Sequence, residues 1–337
     1  MNKMTKNDKK PSRWRKIKWS LLIVVALIGL AIGSGFAYEA IASKQAAKNF
    51  PPPGKLVDAG GYKLHIVKAG TGSPTILLEA GSGETSLSWR QIPDELAKEA
   101  TVVTYDRAGY AWSEPAATER TGENIVRELH TALDNEGIHG PYLLVGHSLG
   151  GMYARLFAET YRDEVTGLVL IDARPEDDAR DTADILKQEG FAGNPQASTL
   201  KLIKHSGLLR LFKDALLEGQ VPKEDRDRFL NVIAKDSFFE AKEAEGNLAW
   251  TTEEALRGQR LGDLPVRVIA RGLPQNYAQA GISEEAGRKL EAIWQAGQRK
   301  MLELSTDSRL IVAEKSGHMV IHDQPELVVE TVRSLLK

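Results

Sequence analysis

Hydrophobic and polar positions follow three patterns along the chain. Trp19 to Tyr38 reads WSLLIVVALIGLAIGSGFAY, twenty residues without a charge, about 30 Å as a helix and enough to cross a hydrocarbon core. Residues 39–54 end in prolines at 51, 52 and 53, which cannot continue a helix and predict an extended linker. From residue 55 onward, short apolar runs alternate with longer amphipathic ones. Strands are predicted over 62–67, 75–79, 101–106, 142–146, 165–172, 265–270 and 309–313, and helices over 88–98, 122–135, 149–161, 284–302 and 324–336. That alternation predicts an α/β fold, a mostly parallel central sheet with helices on both faces, built from 55–173 and 263–337. Residues 174–262 break it, with helical patterns at 198–217 and 224–235 and no strand. They predict a helical cap above the carboxyl edge of the sheet, where open α/β sheets bind ligands.

Charge separates the first pattern from the rest. The 337-residue chain has a net charge of −2, yet residues 1–18 hold Lys3, Lys6, Lys9, Lys10, Arg13, Arg15, Lys16 and Lys18 against Asp8. That is +7 there and −9 over the remainder. A basic flank stays on the cytoplasmic side of an apolar span. The expectation is therefore a basic cytoplasmic segment (1–18), a single-pass transmembrane anchor (19–38) and an extracytoplasmic body at the cell membrane. A cleaved signal peptide is the competing reading, with small-residue sites at Gly35-Phe36-Ala37 and Ala40-Ile41-Ala42, although the apolar run is long for one. Gly29 and Gly33 have the GxxxG spacing that can pair helices; the oligomeric state stays open. An acidic body lacks the clustered Lys and Arg that nucleic acid requires. The absence of cysteine removes thiol nucleophiles, CxxC redox pairs and cysteine zinc sites.

Gly146-His147-Ser148-Leu149-Gly150-Gly151 lies between the apolar run YLLVG and a predicted helix. A serine on a sharp strand-to-helix turn needs small neighbours, and the turn lifts its hydroxyl above the sheet. The Leu149 N–H then sits at a helix N-terminus, aimed at a developing oxyanion. A serine hydroxyl needs a general base. Among seven histidines, His318 in Lys315-Ser316-Gly317-His318 follows the last predicted strand and is the candidate, with His322 second. His147 is expected to point away from the pocket, and His65, His130, His139 and His205 to be structural or superficial. The base needs an orienting carboxylate. Asp172 ends GLVLID, whereas RGLPQNYAQAGIS after the next strand has no acid; Asp172 is preferred, with Glu176, Asp177 and Asp178 as alternatives. Gly81-Ser82-Gly83 after TILLEA offers a close backbone approach, and the Ser82 N–H is the expected second oxyanion donor. No Gly-Lys-Ser/Thr follows, so a P-loop is excluded. Trp89 is read as either a wall of the site or a core residue, and Asp106-Arg107 as loop scaffolding.

Taken in order, the oxyanion loop, the DRAGYAWS loop, the GHSLGG elbow, the helical cap and SGH before the last helix resemble the α/β-hydrolase superfamily over residues 55–337. Two features depart from it. Ala80-Gly81 stands where a His-Gly pair is common, and the acid is missing after the later strand. Asp172-Ala173-Arg174-Pro175 resembles haloalkane dehalogenases that carry the acid after the earlier strand, but dehalogenases and epoxide hydrolases of this fold use an Asp nucleophile, not Ser148. The resemblance implies a serine hydrolase acting through a Ser-His-Asp triad and an acyl-enzyme on carboxylic esters, lipid-like or otherwise apolar, ahead of amides or thioesters, with no metal or organic cofactor; the apolar span adds the expectation of a membrane anchor. The alternatives are a slow ligand sensor on the same scaffold, or a cofactor-free haloperoxidase or C–C bond hydrolase. In 198–217, apolar Leu200, Leu202, Ile203, Leu208, Leu209, Leu211 and Phe212 alternate with Lys201, Lys204, Arg210 and Lys213; an ordinary cap helix packed on the core is the preferred reading, and a basic amphipathic helix resting on an anionic bilayer, admitting lipid-like esters, is the alternative.

Overall fold

The computed structural model describes residues 13–191, 193–218 and 221–336. Lys3, Lys6, Asp8, Lys9 and Lys10 of the basic block lie outside the described residues. The chain divides into two compact units, one of the N-terminal stretch to Phe50 with Ser198–Asn231 and one of Pro51–Ala197 with Val232–Lys337.

The first unit opens with helix α1 (Arg13–Asn49), 37 residues without a break. It is long and apolar enough to span a membrane. The linker expected over 39–54 is thus helical as far as Asn49. EAIASKQAAKN contains good helix formers and neither Gly nor Pro, so the helix runs on until Pro51 stops it.

In the second unit eight strands form one sheet: β1 (Lys55–Asp58), β2 (Lys63–Ala69), β3 (Thr75–Glu79), β4 (Thr101–Asp106), β5 (Tyr142–His147), β6 (Val165–Ile171), β7 (Val266–Arg271) and β8 (Ser308–Ala313). Their order is β1-β2-β4-β3-β5-β6-β7-β8. The pairs β1–β2 and β2–β4 are antiparallel and the others parallel. The β1–β2 hairpin, which the sequence reading did not include, turns at Gly60 and Gly61, both at positive φ. Strands β3, β4, β5 and β7 are buried along their whole length, as continuous apolar runs must be when both faces are covered. Helix α2 (Ile92–Leu96) packs on one face with the last helix, through Trp89, Ile92, Leu96, Val328 and Val332. On the other face lie α3 (Gly122–Asn135) and α4 (Leu149–Thr160), through Leu129, Leu133, Met152 and Phe157.

The stretch 174–262 is helical among the described residues: α5 (Asp178–Gln188), α6 (Ala197–His205), α7 (Leu208–Leu211), α8 (Lys213–Leu216), α9 (Arg226–Arg228) and α10 (Asp236–Leu256). Two differences from the expected cap have physical causes. The single helix over 198–217 is three short ones, because Gly207 turns left-handed (φ 77°) and the chain bends again at Phe212. The stretch is also shared between the units, since Ser198–Asn231 fall in the first unit with α1. Arg210 Nε donates to Glu39 Oε2 at 2.9 Å, and Gly35 lies so close to the Ser206 carbonyl that no Cβ would fit. Helix α10 belongs to the second unit and packs on α4 and α3. After β7 come α11 (Glu284–Lys300), α12 (Val320–Asp323) and α13 (Pro325–Arg333).

Candidate active site

The parallel strands β3, β5, β6, β7 and β8 all end at one edge of the sheet, and the chemistry gathers there. Ser148 occupies the turn from β5 into α4 with φ 52° and ψ −122°, a strained conformation for a residue with a Cβ. The turn is held from both sides. Ser148 N–H donates to the Ile171 carbonyl at 3.0 Å, and the Ser148 carbonyl accepts from Gly151 N–H and Arg174 N–H, each at 3.0 Å. The glycines of the motif are steric necessities. A Cβ on Gly146 would stand 2.6 Å from the Gly151 Cα, and one on Gly150 would strike the carbonyl oxygens of Glu79 and Ala80.

His318, in the loop after β8, faces Ser148 with Nε2 3.0 Å from Oγ. Its Nδ1 is 2.6 Å from Asp172 Oδ2. Asp172 follows β6 directly, is fully buried and takes a positive φ of 38°. Its Oδ2 also accepts from Arg271 Nη1 at 2.8 Å, and its Oδ1 from Trp294 Nε1 at 2.9 Å and Arg271 N–H at 3.3 Å. Burial pushes this carboxyl's pKa up, but the hydrogen bond and charge of His318, with Arg271 and Trp294, outweigh it and hold the group below its ordinary value. The other candidate acids point elsewhere. Glu176 pairs with Arg155 and Lys300, Asp177 with Lys300, Arg257 and Arg180, and Asp178 with Arg174.

The loop after β3 is fastened from beneath. Arg107 Nη1 donates to the Ala80 carbonyl at 2.6 Å and Nη2 to the Gly81 carbonyl at 2.8 Å. The same guanidinium pairs with Glu79 (2.9 Å) and with Glu245 of α10 (3.0 Å). Glu84 Oε2 accepts the Gly81 N–H at 2.7 Å, so the next N–H along the loop is that of the exposed Ser82. Neither Ser82 N–H nor Leu149 N–H has a partner among the described residues. Glu84 also pairs with His147 Nδ1 at 2.8 Å, while His147 Nε2 donates to the His318 carbonyl at 2.9 Å. Burial drives His147 toward the neutral form, but Glu84 reverses this and raises its pKa; Glu84, penalised by burial, is lowered by the same partner.

Ser148, His318 and Asp172 are therefore brought together, with Leu149 opening α4 next to the serine and Ser82 in the loop after β3. His322 is not part of the cluster; its Nε2 bonds the Ser88 carbonyl. Trp89 is fully buried with Ile92 and so is core rather than wall. Asp106 accepts from Ser86 N–H and pairs with His65. Sequence reasoning missed Arg271, Trp294, Glu84 and Glu245. Arg271 had a signal, since it ends the strand at which an acid was sought and not found. Among the described residues no cluster of three or more His, Asp or Glu is placed to hold a metal ion.

A mostly parallel eight-stranded sheet, a strained serine between its strand and helix, and a histidine and acid on later strand ends define an α/β-hydrolase. The sequence model of the Alpha/beta hydrolase family matches residues 76–331, and the chain belongs to that family. It is 27% identical over 261 residues to the uncharacterized protein YqjL of Bacillus subtilis (strain 168), covering 77% of this chain and 83% of the relative. It is 37% identical over 120 residues to the soluble epoxide hydrolase of Corynebacterium sp. (strain C12), covering 34% of this chain and 40% of that one. The chain spans half or less of the length of several curated relatives it matches, that epoxide hydrolase among them. A thermophilic esterase from Thermogutta terrifontis shares the fold, with a TM-score of 0.53 at 20% identity, over 84% of this chain and 97% of the esterase.

Proposed function

We propose that this hydrolase is a membrane-tethered serine hydrolase that cleaves carboxylic esters through an acyl-enzyme. The observation that carries the reading is the hydrogen-bonded line from Ser148 Oγ through the His318 ring to Asp172. Ser148 Oγ attacks the ester carbonyl as His318 Nε2 takes its proton, and Asp172 holds the proton-bearing Nδ1 and balances the imidazolium. The N–H groups of Ser82 and Leu149 receive the oxyanion. His318 then protonates the departing alcohol, and water activated by the same nitrogen releases the acid. A serine at the elbow also separates the chain from relatives of the fold that use an aspartate there.

Helix α1 supports the tether. Arg13, Arg15, Lys16 and Lys18 precede its apolar stretch, and the large side chains from Leu21 to Ile32 are exposed, as lipid-facing residues would be. The exposed Leu202, Leu208, Leu211 and Phe212 of the same unit favour contact with the bilayer and an apolar ester as substrate. Two of the cations expected to face lipid are instead paired, Arg210 with Glu39 and Lys213 with Asp227, so apolar contact, not charge, would dominate there.

The test uses the full chain in detergent and in membranes. A fluorophosphonate probe should label the wild type and not Ser148→Ala, and p-nitrophenyl esters of two to twelve carbons should be turned over repeatedly. A folded wild type that neither labels nor turns over any ester would refute the hydrolase reading. Release of the chain from membranes by alkaline carbonate would refute the tether.

A further inference from the structure

Around the loop 80–84 every carboxylate is already engaged. Glu79 holds Arg107 and Tyr105, Glu245 holds Arg107 and Tyr110, and Glu84 holds His147 and Gly81 N–H. One cation in this neighbourhood has no counter-charge. Lys242, on α10 one turn from Glu245, is half-buried and lays its stem across Gly83. A Cβ built on Gly83 would stand 3.3 Å from its Cε and 3.4 Å from its Nζ. Gly83 has φ 77° and no side chain, and both properties let the ammonium approach the backbone next to Ser82. No hydrogen bond or ion pair to Lys242 occurs among the described residues, and burial alone lowers its pKa. The ammonium is partly withdrawn from water, which is unfavourable for a charge, yet it stays open to a partner that arrives from outside.

We infer that Lys242 binds an anionic group on the substrate, so that the preferred esters carry a negative charge, half-esters of dicarboxylic acids being the simplest. This rests on the serine hydrolase reading and narrows its substrate class. A lysine suits this task because it is a flexible point charge that meets a carboxylate without demanding a planar fork. Arg107 ties the helix that presents it to the loop after β3, pairing with Glu245 and donating to the Ala80 and Gly81 carbonyls, so the root of the Lys242 side chain is anchored beside that loop. A substrate with both an apolar chain and an anionic group also agrees with an enzyme held at a membrane.

The experiment compares kcat/KM for p-nitrophenyl hemisuccinate, hemiglutarate and hemiadipate, each beside the uncharged p-nitrophenyl ester of the same chain length. A second pair, 3-acetoxybenzoate and phenyl acetate, places the charge on the leaving group. Full-chain wild type, Lys242→Met and Lys242→Arg are measured, with active sites counted by fluorophosphonate so that misfolded protein drops out of every rate. The anionic-to-neutral ratio should fall about 10- to 100-fold in Lys242→Met for one of the two charge placements, the scale of a charged hydrogen bond, and should be largely restored in Lys242→Arg. Neutral esters turned over with the ratio unchanged for both placements would overturn the role of Lys242 and leave the hydrolase reading standing. A folded wild type with no label and no turnover would remove both.

Discussion

Replacing Asp172 by Asn tests how the site is wired, because its two oxygens accept from four donors. Oδ1 takes Trp294 Nε1 and Arg271 N–H, and Oδ2 takes His318 Nδ1 and Arg271 Nη1. An amide has one accepting oxygen, so its NH2 must face one of these pairs. Turned toward Trp294 and the Arg271 backbone, it would confront two fixed donors. Turned toward His318, it confronts only the guanidinium, because the imidazole can release Nδ1 by moving its proton to Nε2. The second arrangement is the less unfavourable, and it inverts the tautomer: Nε2 then presents a hydrogen to Ser148 Oγ and cannot take one. The expected loss in kcat is about 10⁴-fold, or about 5.5 kcal/mol of barrier, with about 1–3 kcal/mol of stability lost through the unmet Arg271 donor. The assay is kcat on a p-nitrophenyl ester per folded molecule, with near-UV circular dichroism reporting the fold. Glu176→Gln, Asp177→Asn and Asp178→Asn should each stay within about tenfold of wild type, because those carboxylates face Arg155, Lys300, Arg257, Arg180 and Arg174 instead. Asp172→Asn retaining a tenth of the wild-type kcat would refute the assignment.

Two further predictions concern pH. Glu84 is held below its ordinary value and His147 above it, so the stabilisation from Glu84 is lost as pH falls through its folded value, and that from His147 as pH rises through its own. The apparent Tm deficit of Glu84→Gln should therefore be greatest at about pH 5–6.5, between the ordinary carboxylate and imidazole ranges, and a deficit independent of pH from 3 to 9 would contradict the ion pair. Glu79 is raised to about 7, by burial first and against the pull of Arg107. Its contribution is full below the ordinary carboxylate range and is lost as pH rises through about 7. Glu79→Gln should flatten the decline of Tm between pH 5 and 8, and equal slopes in the two proteins would show that Glu79 does not titrate there.

What the sequence made legible in this molecule depended on where a residue stands along its own element. Ser148 could be placed because strand, turn and helix are contiguous in YLLVGHSLGG. Asp172 and His318 each stand at or just after the end of an apolar strand, and parallel strands deliver all such ends to one edge of the sheet. Even the departure from the common acid position was readable, as an absence of Asp and Glu after β7. Residues that reach the same edge from crossing helices left no such trace. Trp294 is 122 positions from the carboxylate it donates to, and Glu245 is 138 from Arg107. Nothing local in α10 or α11 says which turn will face the sheet, because that is fixed by docking against α4 and β7. The helical part of the expected linker has the opposite origin. A proline breaks only the helix that would run through it, so the prolines at 51–53 say nothing of the alanine-rich turns from Glu39 to Asn49, which continue α1. A strand-end reading therefore recovers the cluster of Ser148, His318 and Asp172, whereas the groups that fasten the loop after β3, and Lys242 beside it, become visible only when the helices are in place.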